Sequence, residues 1–407
     1  MSLTFKSDQI KGITNIGQWV SWNPVTHQME VGSGGTWLIE AGRFTEYTSH
    51  VYSDSDFLDA KGKLVTPGLI DSHTHPAFAA TREKEFAMRS QGKTYQEIAA
   101  AGGGIRSSVR ELRKMPENIL SELIYQRFCS MLTHGTTTVE CKSGYGLSTE
   151  AELKSLRAIQ SASQKSPIRT FSTLLGAHEV PDEFQNDKAA YIRLIIEEMI
   201  PKVASEELAD FCDVFCEEGV YTPDETQQIL EAARKYGLGL RFHADEFVST
   251  GGAELAVRMQ ALSADHLMAI SEDGIRAMAG SGTVATLLPG TTFFLGSNTW
   301  APARKMIDAG ITLALASDFN PGSNMSFSMP FIMTLAVIYL HLTPLEALKA
   351  TTYGAAKSLG VSHETGFLYN GYRADAVVWD LSNYKQLPYN YASNQAKNIV
   401  TRGVQII

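Results

Sequence analysis

The chain has 407 residues, 44% hydrophobic and 19% charged, with 33 glycines and 14 prolines, which excludes a fibre or a disordered tail and leaves room for a large core. Its net charge of −9, from 35 Lys and Arg against 44 Asp and Glu, removes the electrostatic basis for binding nucleic acid. A small-molecule partner is the default expectation.

The opening residues, MSLTFKSDQI, lack the apolar stretch of a secretory signal. Residues 331–342 form the longest apolar run, but it contains Thr334 and His341 and falls short of the roughly 18 residues a membrane span needs. A cytoplasmic protein without a membrane partner is expected. Cys129, Cys141, Cys212 and Cys216 are too few and too scattered for a disulfide framework, so buried free thiols are expected.

Residues 1–63 hold short β-type runs such as QWVSW and GTWLIEAG, separated by Gly, Asn and Ser. From 64 to 360, short apolar runs alternate with longer amphipathic stretches, the rhythm of a parallel sheet wrapped by helices. Residues 361–407 return to β-type runs. Two helix starts are explicit: Thr222-Pro223-Asp224-Glu225 and Thr343-Pro344-Leu345-Glu346 each place Thr at the cap, Pro at the first helical position and Glu three residues on.

The middle region contains eight candidate strands: LVTPGLIDSHTH, TTTVECK, RTFSTLLGAH, ADFCDVFCE, LGLRFHAD, ALSADHL, GTVATLLPG and ITLALASDFN. Eight is the number an α/β (β/α)8 TIM barrel needs, and most of the runs end in residues with chemistry. In a barrel those ends share one mouth, so His73, His75, His178, His243, His266 and Asp318 are expected to converge. For the barrel to remain one insertion, the two β-rich chain ends must pair with each other. A small composite β-sandwich is predicted from 1–63 and 361–407.

His73-Thr74-His75 follows an apolar run, and alternate residues of an extended segment point to one side, so both imidazoles can bind one cation. Asp318 closes an apolar run in which a bare carboxylate is costly without a cation or donor. His73, His75, His243 and Asp318 suit zinc, with iron as the alternative. The plainer readings are a satisfied histidine pair and, for Asp318, a helix N-cap.

PGLIDSHTH, HADE, SADH and ASDFNPGS, in this order, resemble the amidohydrolase superfamily of metal hydrolases on (β/α)8 barrels. TREKEF, QGKTYQEI, HGTTTVECKSGYGL, LLGAHEVP, DVFCEEGVYTPDET, LLPGTTFFL and DFNPGS are similar to the imidazolonepropionase family within it. That resemblance spans about residues 65–373. It implies hydrolysis of the cyclic amide of 4-imidazolone-5-propanoate to N-formimidoyl-L-glutamate in histidine degradation, with one zinc or iron ion per subunit. It also implies a substrate site of Arg82, Tyr145, His178, Glu246, Asn320, Gly322 and Ser323, with His266 acting on the substrate carbonyl or the ion.

The residue chemistry agrees with these roles. A propanoate wants a guanidinium and hydroxyls, and Arg82 lies seven positions after His75. Glu246, just beyond the strand that ends in His243, is placed to move a proton. Asn320, Gly322 and Ser323 offer amide, backbone N–H and hydroxyl donors, with Pro321-Gly322 also explicable as turn chemistry. Taken singly, Arg82 reads as a solvated charge, Tyr145 as packing, His178 as structural and Glu246 as a helix-end charge.

Many relatives hold two metals bridged by a carboxylated Lys at the end of strand four, but ADFCDVFCEE has none, which implies a single ion. Lys142 ends strand two and is expected to pair with Glu140 or line the mouth. The Ala-Gly-Gly-Gly run at 101–104 lacks the Lys-Ser/Thr of a phosphate loop and reads as a flap. Ser72 and Pro76 depart from the family pattern without touching a ligand position. The alternatives are another cyclic amidase or a ring deaminase on the same fold, and a ligand-binding pseudoenzyme. A homodimer is possible within this reading.

Overall fold

The computed structural model describes residues 8–93, 97 and 102–407. Residues 1–7 at the amino end, Ala101 of the expected flap and most of the TYQEI segment lie outside the described residues.

Eight parallel strands follow one another in chain order around the barrel: Leu69–Asp71, Thr136–Lys142, Arg169–Ala177, Phe211–Cys216, Gly239–Ala244, Ser263–His266, Val284–Leu287 and Leu313–Leu315. Each lies within one of the eight apolar runs. Their side chains are almost all buried, as expected for strands packed on both faces. The first run is divided: Leu64–Pro67 pairs with Ala376–Trp379 in a different sheet, and only Leu69–Asp71, past Gly68, enters the barrel.

No regular ladder joins the last strand to the first. Instead, Ser317 donates from its backbone N (2.8 Å) and Oγ (2.5 Å) to the two carboxylate oxygens of Asp71. Asp318 N donates to His73 O (3.0 Å), and His75 N to Phe319 O (2.9 Å). The seam therefore brings His73, His75 and Asp318 together across almost 250 residues of chain.

Helices wrap the barrel and begin where the capping chemistry predicts. Thr222 and Thr343 each accept from the backbone of Glu225 and Glu346, whose carboxylates accept in return from the Thr backbones, at 2.8–3.3 Å. Each such cap contributes about 1 kcal/mol. The apolar run near 331 forms helix Met329–Tyr339, which buries Ile332, Met333 and Leu335 against the barrel. Among the described residues, no helix is long and apolar enough to cross a membrane.

The chain ends form the composite sandwich. Its seven-stranded sheet interleaves amino-terminal strands with Ala376–Trp379, Ala396–Thr401 and Val404–Gln405. A four-stranded sheet of amino-terminal strands covers it, and Ile13, Trp37, Ile39, Phe44, Val378 and Val400 fill the interior. Truncating a fully buried aromatic such as Phe44 to Ala would cost about 3–5 kcal/mol. Trp22 stacks on Tyr353 with ring centroids 4.3 Å apart, and Trp379 Nε1 donates to Thr66 Oγ1 (2.8 Å). The four cysteines are buried and free.

Candidate active site and metal centre

The segment after strand one is held extended by its neighbour. Thr74 donates through its backbone N to Glu140 Oε2 (3.1 Å) and through Oγ1 to Glu140 O (2.5 Å). With Thr74 fixed to strand two, His73 and His75 are presented side by side, their Nε2 atoms 3.2 Å apart. Asp318 Oδ1 lies 3.2 Å from His75 Nε2 and 3.6 Å from His73 Nε2. The His243 ring centroid is 4.5 Å from that of His73, and these three histidines offer nitrogens within 4.8 Å of one another.

Burial, with the nearby positive groups, pulls His73 well below and His75 below the usual imidazole range, leaving both neutral. Burial pushes the Asp318 carboxyl upward, but hydrogen bonding from His75 and Thr291 outweighs it and holds the group below its ordinary range. Neutral imidazoles converging with a carboxylate on one point are the donor set of a divalent ion. The residues present fit the group.

Above this cluster opens a cavity of about 220 Å³. His75, His243, His266 and Asp318 form its floor, and Arg82, Tyr145, His178, Glu246, Asn320, Gly322 and Ser323 its walls. His73 lies just beneath, fully buried. The candidate ligands and substrate-site residues named from the sequence are thus brought to one place.

The wall residues are pre-oriented. Arg82 uses Nε (2.9 Å) and Nη2 (2.6 Å) on Glu85, while Nη1 passes so close to Gly322 that a Cβ there would sit 2.4 Å from it. A side chain at 322 would therefore have to displace the Arg82 guanidinium. Asn320 Oδ1 accepts from the backbone N of Gly322 and Ser323 at 2.8 Å, shaping the turn. His178 Nδ1 lies 2.9 Å from Gly144 O and must donate to it, which leaves Nε2 as an acceptor. Gly144 has φ +103°, and a Cβ there would press on the His178 ring.

Three titratable wall groups are neutral. Burial pulls His266 down to about 3 and pushes Tyr145 up. Burial, then the charges of Asp318 and Glu217, pushes Glu246 well above the usual carboxylate range. Neither ring nitrogen of His266 has a hydrogen-bond partner among the described residues, and Glu246 Oε1 stands 3.6 Å from its Nδ1. A buried imidazole without partners inside a cavity is a group reserved for something that enters it.

The sequence pattern of the amidohydrolase family matches residues 64–405. The chain is 48% identical to the imidazolonepropionase of Geobacillus thermodenitrificans (strain NG80-2), over 93% of this chain and 91% of that protein. It is 47% identical to the imidazolonepropionase of Geobacillus kaustophilus (strain HTA426), over 87% and 84%. The chain belongs to the imidazolonepropionase branch of the amidohydrolase family. A solved atrazine chlorohydrolase from Arthrobacter aurescens TC1, complexed with zinc, superposes with a TM-score of 0.73 over 97% of this chain and 94% of that one. At 17% identity that likeness speaks for the fold alone.

As an amidohydrolase the chain is a metal-dependent hydrolase, and it carries a layer beneath the ligand set that sequence reasoning missed. Asp265 Oδ2 accepts from His73 Nδ1 at 2.7 Å, and Asp213 Oδ2 lies 3.0 Å from His243 Nδ1. The Asp265 hydrogen bond fixes the tautomer of His73 that leaves Nε2 free. Arg241 Nη2 lies 3.1 Å from Asp265 Oδ2, and Lys142 Nζ lies 2.7 Å from Glu140 and 2.8 Å from Asp213. All five charges are fully buried. Lys142 thus takes up the expected pairing with Glu140 and stays out of the mouth.

The departures from the family pattern are also accommodated. Ser72 O accepts from Arg241 Nη2 (2.8 Å), and Pro76 O from Arg127 Nη1 (2.6 Å). The signal that could have found Asp213 and Arg241 is a charge inside an apolar strand, DFCDVFC or GLRFH, which demands a buried partner.

Proposed function

We propose that this chain hydrolyses the cyclic amide of 4-imidazolone-5-propanoate to N-formimidoyl-L-glutamate, the ring-opening step of histidine degradation. The observation that carries this reading is a carboxylate-binding guanidinium, Arg82, in the same small cavity as the His73–His75–His243–Asp318 cluster. His73, His75, His243 and Asp318 would hold one zinc or iron ion. When bound, such an ion lowers the pKa of a water towards about 7 and polarises a carbonyl oxygen.

The chain's own residues account for the rest. Arg82, steadied by Glu85, receives the propanoate, with the hydroxyls of Tyr145 and Ser323 as neutral donors. His178 Nε2 accepts a ring N–H, which selects a ring carrying a donor there. The neutral His266 donates to the carbonyl oxygen as it gains charge. Glu246, held protonated by its burial, delivers its proton to the ring nitrogen as the C–N bond breaks and regains one from the attacking water. The products are a new carboxylate and a formimidoyl-bearing nitrogen, so water is fully accounted for.

The acidic net charge supports a small-molecule partner in place of nucleic acid, and the same reading takes the chain as a cytoplasmic enzyme without a membrane partner. A homodimer is compatible with this reading. We take the chain as a barrel unit, 64–360, between the two sandwich halves, 1–63 and 361–407, with its first strand, Leu64–Pro67, lent to the sandwich sheet. An ultraviolet assay of imidazolone loss, with metal analysis of the purified protein, tests the function. Ammonia release without ring opening would instead mark a ring deaminase.

A further inference from the structure

Resting on the reading above, we infer that Arg89 is a second anion contact of the active-site cavity, a specificity-determining residue that draws the carboxylate of the substrate towards Arg82. Arg89 lines the cavity yet makes no ion pair among the described residues. Arg82, by contrast, already shares its charge with Glu85 at 2.6 Å. The unneutralised positive charge of the wall is therefore the one on Arg89.

Its position is built. Phe86 and Phe294 stack with centroids 5.1 Å apart, and the Arg89 guanidinium carbon stands 5.9 Å and 5.2 Å from the two rings. Two aromatic faces hold a guanidinium without cancelling its charge, so it remains available to an anion. Arg82 caps helix Glu83–Ser90 and Arg89 lies seven residues on, two turns along the same side. The two cations are thus spaced about 10 Å along the helix axis at 1.5 Å per residue. Each disfavours the other while the cavity holds no anion, and a carboxylate entering between them relieves that repulsion.

Glu85 couples Arg82 to the cavity roof. Its Oε2 holds Arg82 and its Oε1 accepts from Gly104 N at 2.9 Å, immediately before Ile105, another wall residue. Arg89 is the wall cation left without such a carboxylate.

The test compares wild type, Arg89→Gln and Arg89→Lys on the carboxylate substrate and on its uncharged methyl ester. The expected result is that Arg89→Gln lowers kcat/KM for the acid about tenfold through KM, with kcat nearly unchanged. Arg89→Lys should restore most of the loss, the ester should be unaffected, and 0.5 M salt should shrink the difference. Equal losses on acid and ester, or no loss on the acid, overturn the inference. Wild-type turnover of the acid in the same experiment keeps that outcome separate from failure of the functional reading. Unchanged melting temperature and metal content in Arg89→Gln show that a loss is not one of folding.

Discussion

His73 Nδ1 donates to Asp265 Oδ2 across 2.7 Å in a wholly buried contact, and that hydrogen bond decides which face of the imidazole is available to an ion. An ionised carboxylate only accepts, so Nδ1 carries the proton and Nε2 keeps its lone pair towards His75 and Asp318. Asp265→Asn should weaken metal retention about 10–100-fold, read by metal content after titration with a chelator. Wild-type retention would mean that His73 needs no such orientation.

Removing a cation from the buried layer should be expensive. Lys142 is raised in pKa because Asp213 and Glu140 outweigh the burial that opposes its charge. Lys142→Met would leave those carboxylates without their lysine, at a cost of about 3–5 kcal/mol in urea unfolding. A change below 1 kcal/mol would show that Arg241 alone suffices.

Glu246→Gln removes the proton carrier while keeping the size of the side chain. A fall in kcat of roughly 10²–10⁴ is expected, with metal content and melting temperature unchanged. Near-normal turnover would assign proton transfer to another group.

Arg82→Met deletes the guanidinium that meets the propanoate and leaves Glu85 half-buried without its ion pair. Losing a charge-assisted hydrogen bond of about 1.5–3 kcal/mol should raise KM roughly 10–100-fold. The acid should suffer and a substrate lacking the carboxylate should not; steady-state kinetics on both decides the point.

Stability at low pH offers a separate check. The hydrogen bond from Arg304 holds the Glu346 carboxyl down to about 2 from its ordinary 4.5, against an opposing effect of burial. Because the folded value is depressed, the contribution is complete above about 4.5 and lost as pH falls through about 2. Both side chains are partly solvated, which limits the pair to about 1 kcal/mol at most. Glu346→Gln should therefore be less stable than wild type at pH 7 and equal to it near pH 2, as measured by denaturant unfolding. A difference that persists at pH 2 would rule out the charge as its source.

The eight barrel strands were legible because each is a short apolar run bounded by turn chemistry, and His73, His75, His243 and Asp318 because each closes one. The capping boxes at Thr222 and Thr343 were legible for the same local reason. What stayed hidden depends on distant partners. Asp213, Arg241 and Asp265 sit inside strands, and their pairing is set by strand order around the barrel. The backbone at His266, Leu267 and Asp318, with φ values of 76°, 60° and 52°, was also hidden, since none is a residue type that announces a left-handed conformation as glycine does.

The join between the last and first barrel strands is fastened by Ser317, Asp71, Asp318 and His73, with no continuous ladder. An ion gripped by His73, His75 and Asp318 would work there as a buckle. On the ribosome the clasp must wait for residue 318, so the nascent barrel stays open until more than three quarters of the chain has emerged. Chelation of the mature protein should then be felt first as faster amide exchange along that join, while the sandwich stays protected.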